Sequence, residues 1–156
     1  MTGRITEDHL IDSVAEALQY ISYYHSPDFV QAMGAALEAE ESQSARNAIT
    51  QILINSRMAA IGKRPICQDT GSVNAILKVG VQAPIDWTRS PQALIDEATR
   101  RAYDFAANPL RASIVEDPLG KRRNTRDNTP AMIQTELVEG DKVSVTVSAK
   151  GGGSEN

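Results

Sequence analysis

The chain is poor in the features that would place it outside a cell or across a membrane. It has one cysteine, Cys67, so no internal disulfide can form, in keeping with a reducing compartment. No apolar run approaches the roughly 18 residues that a membrane span needs. The N-terminal MTGRITEDHL lacks the apolar core of a signal peptide, and the expected location is the cytoplasm. An excess of positive charge is missing too. The formal net charge of −4 argues against nucleic acid as the default partner, while leaving room for a local cationic pocket. The histidines are two, His9 and His25, both on expected helices far in sequence from Cys67. Neither an internal repeat nor a low-complexity tract is present.

What is there suits an ordinary globular domain. With 156 residues, 41% hydrophobic and 23% charged, the chain is long enough to bury a core without disulfides. Thr6 reads as a helix N-cap, with Ile5 and Leu10 placed as a hydrophobic staple and Leu10, Ile11, Val14, Leu18 and Ile21 at helical spacing. Ser26-Pro27 opens a second helix carrying Phe29, Met33 and Leu37. A third is expected near 44–61, stopping at Gly62 as a C-terminal glycine. Residues 73–81 read as a strand, and Ser90-Pro91 starts a fourth helix toward Ala107. Between Asn108 and Pro130 the chain is loop-like and dense in charge. Residues 132–138 and 142–148 flank EGD and read as a hairpin, with Val143, Val145 and Val147 on one face. The expected class is α+β: an N-terminal helical layer packed with a mainly antiparallel sheet, one domain over 1–156, helical in 1–62 and α/β in 63–156.

Three stretches carry candidate chemistry. The first is ICQDTGS, residues 66–72. Asp69-Thr70-Gly71 matches the turn of an aspartic protease, which in a chain with one such turn would need a homodimer to pair its carboxylates. Such enzymes are almost all β, whereas helices precede this turn and Gln68 stands where an apolar residue is the rule. Cys67 alone reads either as a small buried hydrophobe or, entering a turn that ends in Gly71, as a sulfur at the edge of a cleft. The second stretch is KGGGSEN, residues 150–156, which reads as a flexible tail or as a backbone nest for an anion. The third is the loop holding Arg111, Lys121, Arg122, Arg123 and Arg126, of which one or two would be functional and the rest a solvated surface. Arginine is the side chain best shaped to grip a carboxylate through two parallel hydrogen bonds.

Taken in order, ICQDTG, NPLR.S, R.NT.DNTPA and KGGGSEN resemble the iron-sulfur class I fumarate hydratases and the related tartrate dehydratase α-type subunits. The upstream SARNAITQILINSRMAAIGKRP extends the likeness over nearly the whole chain. The resemblance implies a 4Fe-4S cluster held by three cysteines, with one iron open to substrate, and Cys67 as the first ligand. It further implies that Gln68, Asp69, Arg111 and the glycine motif from Gly151 through Ser154 to Asn156 contact a small dicarboxylate, fumarate or malate. Asp69 is then the candidate for proton transfer. Cationic and N–H donors would stabilise the charge that develops on the substrate carboxylate.

A three-thiolate cluster exceeds what one cysteine supplies, even in a symmetric dimer. The expectation is therefore an N-terminal portion of such an enzyme, cut short artificially or in its gene, that alone neither assembles the cluster nor hydrates fumarate. Its partners would be the remainder of the enzyme or a second subunit, in a homodimer when complete. The alternatives are a tartrate dehydratase subunit and a non-catalytic domain that binds a dicarboxylate or a partner, with the homodimeric protease a third reading.

Overall fold

A computed structural model of the chain describes residues 3–151. Their order is β1 (Ile5–Thr6), α1 (Glu7–Tyr23), α2 (Pro27–Ala39), α3 (Gln43–Gly62), β2 (Ser72–Gly80), β3 (Ile85–Asp86), α4 (Pro91–Tyr103), β4 (Val115–Glu116), β5 (Arg123–Asn124), β6 (Met132–Val138) and β7 (Val143–Lys150). The class is α+β, as expected. Among the described residues no helix is long and apolar enough to cross a membrane.

Local signals decide the helix starts. The Thr6 hydroxyl accepts from the His9 N–H and the Thr6 N–H donates back to His9 Nδ1, both at 3.3 Å, so His9 completes a reciprocal cap. Pro27 and Pro91 stand at the first positions of α2 and α4, where a missing N–H costs nothing. Two ends differ from expectation. Gly62 is the last helical residue of α3, and Lys63 takes the left-handed position with φ 47°. Helix α4 stops at Tyr103 rather than near Ala107, because the chain turns back there through Asn108 N–H to Phe105 O and Leu110 N–H to Tyr103 O, each 2.9 Å. That turn is held by Gln19 on the buried face of α1. Its Nε2 donates to Asn108 O and its Oε1 accepts from Asn108 Nδ2.

The main sheet is mixed, with order β6-β2-β7: β2 runs parallel to β6 and antiparallel to β7. The expected hairpin of β6 and β7 is therefore split, with β2 inserted between its arms. Period-2 alternation specifies which face of a strand is buried and says nothing about which strand lies beside it. Gly80 permits the arrangement. Residues 139–142 cross over the end of β2, and a Cβ at Gly80 would stand 2.3 Å from Gly140 O.

One face of the sheet carries Val73, Ala75, Leu77 and Val79 against α1 and α4, whose Leu10, Ile11, Val14, Leu18, Leu94, Ile95 and Ala98 complete the core. Complete burial of a leucine or isoleucine side chain contributes about 1.5–3 kcal/mol, so this layer dominates the stability. The helices packed on the sheet are thus the first and the fourth. Helices α2 and α3 pack mainly on each other, and α2 has no buried residue.

Candidate active site

The ICQDTGS turn is fixed before it reaches Cys67. Ile66 N–H donates to Ser22 O at 2.8 Å and Asn55 Nδ2 to Ile66 O at 3.1 Å, tying the segment to α1 and α3. Cys67 and Gln68 are then exposed and Asp69 is half-buried, with the Asp69 N–H 3.4 Å from Cys67 Sγ. The next residue anchors the turn. Thr70 is buried, its hydroxyl donates to Arg111 O, and its own carbonyl accepts from the Tyr103 hydroxyl at 2.8 Å. Burial pushes the Tyr103 phenol above its ordinary pKa and the Asp69 carboxylate adds to the shift, against the hydrogen bond to Thr70, so the phenol stays a donor at neutral pH.

Gly71 is where three segments converge. Its φ of 68° suits glycine, and a Cβ there would stand 2.2 Å from the Lys150 carbonyl group, so only glycine lets the turn lie on the end of β7. Its carbonyl accepts from Asn128 Nδ2 at 2.9 Å and Ser113 Oγ at 3.2 Å. Asn128 Oδ1 in turn accepts from the N–H groups of Ser113 and Ile114 at 2.8 and 3.3 Å. Asn128 thereby clamps the segment after Arg111 onto the turn that carries Cys67. Its own segment is held to α4 by Ala131 N–H to Asp96 Oδ1 at 2.8 Å and Arg100 Nε to Asp127 Oδ2 at 3.1 Å.

These ties bring five of the expected residues together. Cys67, Gln68, Asp69, Arg111 and Gly151 line one open cleft of about 880 Å³. Gly151 lies so close to Asp69 that a Cβ on it would come within 2.7 Å of Asp69 Oδ2. Ser154 and Asn156 lie outside the described residues. Of the loop cations, Arg122 joins Arg111 in the cleft lining, as does Lys150, whereas Lys121, Arg123 and Arg126 do not. Among the described residues none of Arg111, Arg122 and Lys150 is in an ion pair. The cleft is therefore cationic, and an anion is its complement.

Sequence reasoning did not single out Thr70, Tyr103, Ser113 and Asn128, which hold the turn. The signal for three of them was present, since Thr70 lies inside ICQDTG, Ser113 is the serine of NPLR.S and Asn128 lies inside DNTPA, but no pattern announces a hydrogen bond between segments far apart in sequence. The histidines are occupied elsewhere: His9 caps α1, and His25 meets Ser56 Oγ at 3.0 Å and stacks on Phe29.

As a metal site the described residues are a partial set. Among them no group of three or more histidine, cysteine, aspartate or glutamate side chains is placed to hold a metal ion. The exposed thiol of Cys67 at the cleft fits one ligand position, of the soft kind that iron-sulfur centres take. One corner of a cluster fits here; a closed ligand set does not.

An α+β layer presents a thiol, a carboxamide and a carboxylate on one anchored turn, in a cleft that Arg111, Arg122 and Lys150 also line. The family model described as fumarate hydratase (Fumerase) matches residues 11–156, and the chain belongs to that family of lyases. Over 124 residues it is 37% identical to the aerobic class I fumarate hydratase of Escherichia coli K12, covering 76% of this chain and 21% of that protein. The anaerobic class I fumarate hydratase of the same organism is 33% identical over 146 residues, 90% of this chain and 25% of the relative. A putative L(+)-tartrate dehydratase subunit alpha of Methanocaldococcus jannaschii is 29% identical over 150 residues, 93% of this chain and 51% of the relative. The chain thus spans about a fifth to a quarter of those fumarate hydratases and about half of that tartrate dehydratase subunit.

Proposed function

We propose that this chain is part of a hydro-lyase that interconverts fumarate and (S)-malate, and that the cleft around Cys67 is its share of the active site. The observation that carries the reading is the convergence of Cys67, Gln68, Asp69 and Arg111 on one cationic cleft in a member of the fumarate hydratase family. A 4Fe-4S cluster, when bound, supplies a Lewis acid for departure of the hydroxyl. Cys67 would hold it here, with the other two thiolates supplied from outside these residues, by the remainder of the enzyme or a second subunit; the complete enzyme would be a homodimer.

The chain's own residues do the rest. Arg111 grips a substrate carboxylate through paired N–H groups, and the backbone N–H at Gly151 adds a donor on the same side as Asp69. Gln68 and Asp69 hydrogen-bond the substrate hydroxyl. Asp69 moves the proton, from a turn whose backbone Thr70, Tyr103 and Asn128 hold still. The cytoplasm is the compartment that suits a free, exposed thiol at this site, since thiols stay reduced there. A tartrate dehydratase α-type role is the second reading, supported by the 29% identity to the M. jannaschii relative over 150 residues.

The test is Cys67→Ser against wild type in the complete enzyme, prepared anaerobically, with iron and sulfide content measured beside fumarate hydration. Loss of iron, sulfide and activity together is expected. Retained iron and activity would sink the assignment of Cys67.

A further inference from the structure

We propose that the tip of the β4–β5 ribbon, with Leu119 at its apex, is a docking knob for the part of the enzyme outside these residues, whose matching surface is an apolar socket rimmed by carboxylates. This rests on the reading above that the cleft around Cys67 is completed from elsewhere. The ribbon leaves the segment after Arg111 and pairs Val115 with Asn124 and Glu116 with Arg123. A single exposed leucine needs no explanation on a protein surface. This one stands on a built support.

The support is a turn held from within. Asp117 O accepts from the N–H groups of Gly120 and Arg122 at 2.9 and 3.2 Å, and Asp117 Oδ2 from the Lys121 N–H at 3.2 Å. A Cβ at Gly120 would stand 1.9 Å from Asp117 Oδ2, so glycine lets the turn close on that carboxylate. Asp117 and Arg122 take left-handed backbone, φ 45° and 49°, which disfavours side chains with a Cβ and persists where the surroundings enforce it. Among the described residues nothing encloses the turn: every residue from 116 to 124 is exposed, and Leu119 is 100% exposed. A two-stranded ribbon without cover is marginal in water. Cover from outside the chain resolves that mismatch.

The base of the ribbon is tied to the cleft. Asn124 Nδ2 donates to Ala112 O at 2.8 Å and Thr125 N–H to Ile114 O at 2.9 Å, while Asn128 holds Ser113 and Ile114 to the turn at Gly71. A surface seated on Leu119 is thereby kept in register with Cys67, as a partner bringing further thiolates to that residue requires. Charge then names the chemistry of that surface. Between 116 and 126, Lys121, Arg122, Arg123 and Arg126 stand against Glu116 and Asp117, and among the described residues none of these cations is in an ion pair. Arg122 lines the cleft, whereas Lys121, Arg123 and Arg126 do not. An apolar anchor among unpaired cations fits a socket of apolar side chains with aspartate or glutamate at its rim, and a basic surface would be repelled.

The experiment compares wild type with Leu119→Asp, Leu119→Met and Lys121→Glu, in this chain and in the complete enzyme. In the chain, urea unfolding midpoints should agree for all of them; a lower midpoint for Leu119→Asp would make Leu119 a packing residue of the chain itself and overturn the docking role. In the complete enzyme, amides 116–124 should exchange hydrogen at least about tenfold more slowly than in the chain. Leu119→Asp should remove most of that protection, Lys121→Glu part of it and Leu119→Met none. Protection that is no greater in the complete enzyme, or that survives Leu119→Asp, overturns the proposal. So does self-association of the chain, or its binding to vesicles of phosphatidylcholine and phosphatidylserine, if Leu119→Asp abolishes it, since the knob would then serve a second copy or a membrane. Exchange at 116–124 reads docking without iron or activity, so its failure leaves the assignment of Cys67 to be decided by the Cys67→Ser measurement.

Discussion

Asn128 carries no charge and is fully buried, yet it ties together two of the segments that line the cleft. Its carboxamide satisfies Gly71 O on one side and the N–H groups of Ser113 and Ile114 on the other. Removing it takes a donor from the buried Gly71 carbonyl and leaves two partly buried N–H groups unanswered, and each such loss costs about 1–3 kcal/mol. The backbone there is left-handed, φ 60°, which asparagine tolerates and alanine does not. Asn128→Gly therefore isolates the side-chain bonds, because glycine accepts the conformation. We expect Asn128→Gly to lower the unfolding free energy by about 1–3 kcal/mol in urea titration and Asn128→Ala to lower it further. A glycine variant as stable as wild type would remove the clamp. The residues that line the cleft, Cys67, Gln68, Asp69 and Arg111, were picked out in the sequence through the motifs ICQDTG and NPLR.S that carry the family resemblance. Asn128, Thr70 and Tyr103 were not, since a buried polar tie looks like any other polar residue until its partner is known.

At the scale of elements, what could be read were starts and faces, and what could not were partners. The cap at Thr6 and the prolines at 27 and 91 are local physics and came out where expected. Insertion of β2 between β6 and β7 is a decision between strands of equal apolar periodicity, and its sequence trace is a glycine, Gly80, under the crossing loop. A second unannounced tie fixes where α1 begins relative to α4. Glu7, the first residue of α1, accepts from the backbone N–H groups of Thr88 and Arg89 at 2.6 and 2.9 Å and from Arg89 Nε at 2.7 Å. These bonds, those from Arg89 and Thr88 backbone foremost, lower its pKa from 4.5 to about 2. A carboxylate whose folded pKa is depressed contributes stability that is fully present above the unfolded value and is lost as pH falls through the folded one. Glu7→Gln is thus expected to be less stable than wild type at pH 7 by a margin constant down to about pH 5, shrinking below that and gone near pH 2. Thermal unfolding of both proteins across that range is the check. A margin independent of pH would show that the carboxylate charge is not what holds the two segments together.

Over the whole molecule, burial is uneven in a way that composition conceals. The sheet with α1 and α4 holds nearly all the completely buried side chains, including Ile11, Leu18, Leu77, Leu94 and Ile95. Helices α2 and α3 leave Val30, Ile52, Ile54, Met58 and Ile61 exposed, with Met58 at 67% and Ile61 at 74%. Their apolar periodicity was readable, and it led to the expectation of one helical layer on the sheet. Amphipathic spacing reports that a face wants cover, while the identity of the cover is set by geometry far away in sequence. With little tertiary burial, the α2–α3 pair leans on its own helix propensity and a narrow mutual contact, a weak basis for helices of 13 and 20 residues. Local opening free energies follow buried apolar contact, so the pair is expected to open separately from the core. In native-state hydrogen exchange of the chain, amides of 27–62 should exchange at least about tenfold faster than those of 72–80 and 91–103, and urea should accelerate them with a shallower slope. The residues that bind the ICQDTGS turn to this pair, Asn55 and Ile66, sit at the boundary, so protection of Ile66 reports whether opening reaches the cleft. Uniform protection across both regions would mean that the pair folds as one unit with the core, and that the mutual packing of α2 and α3 is stronger than its buried surface suggests.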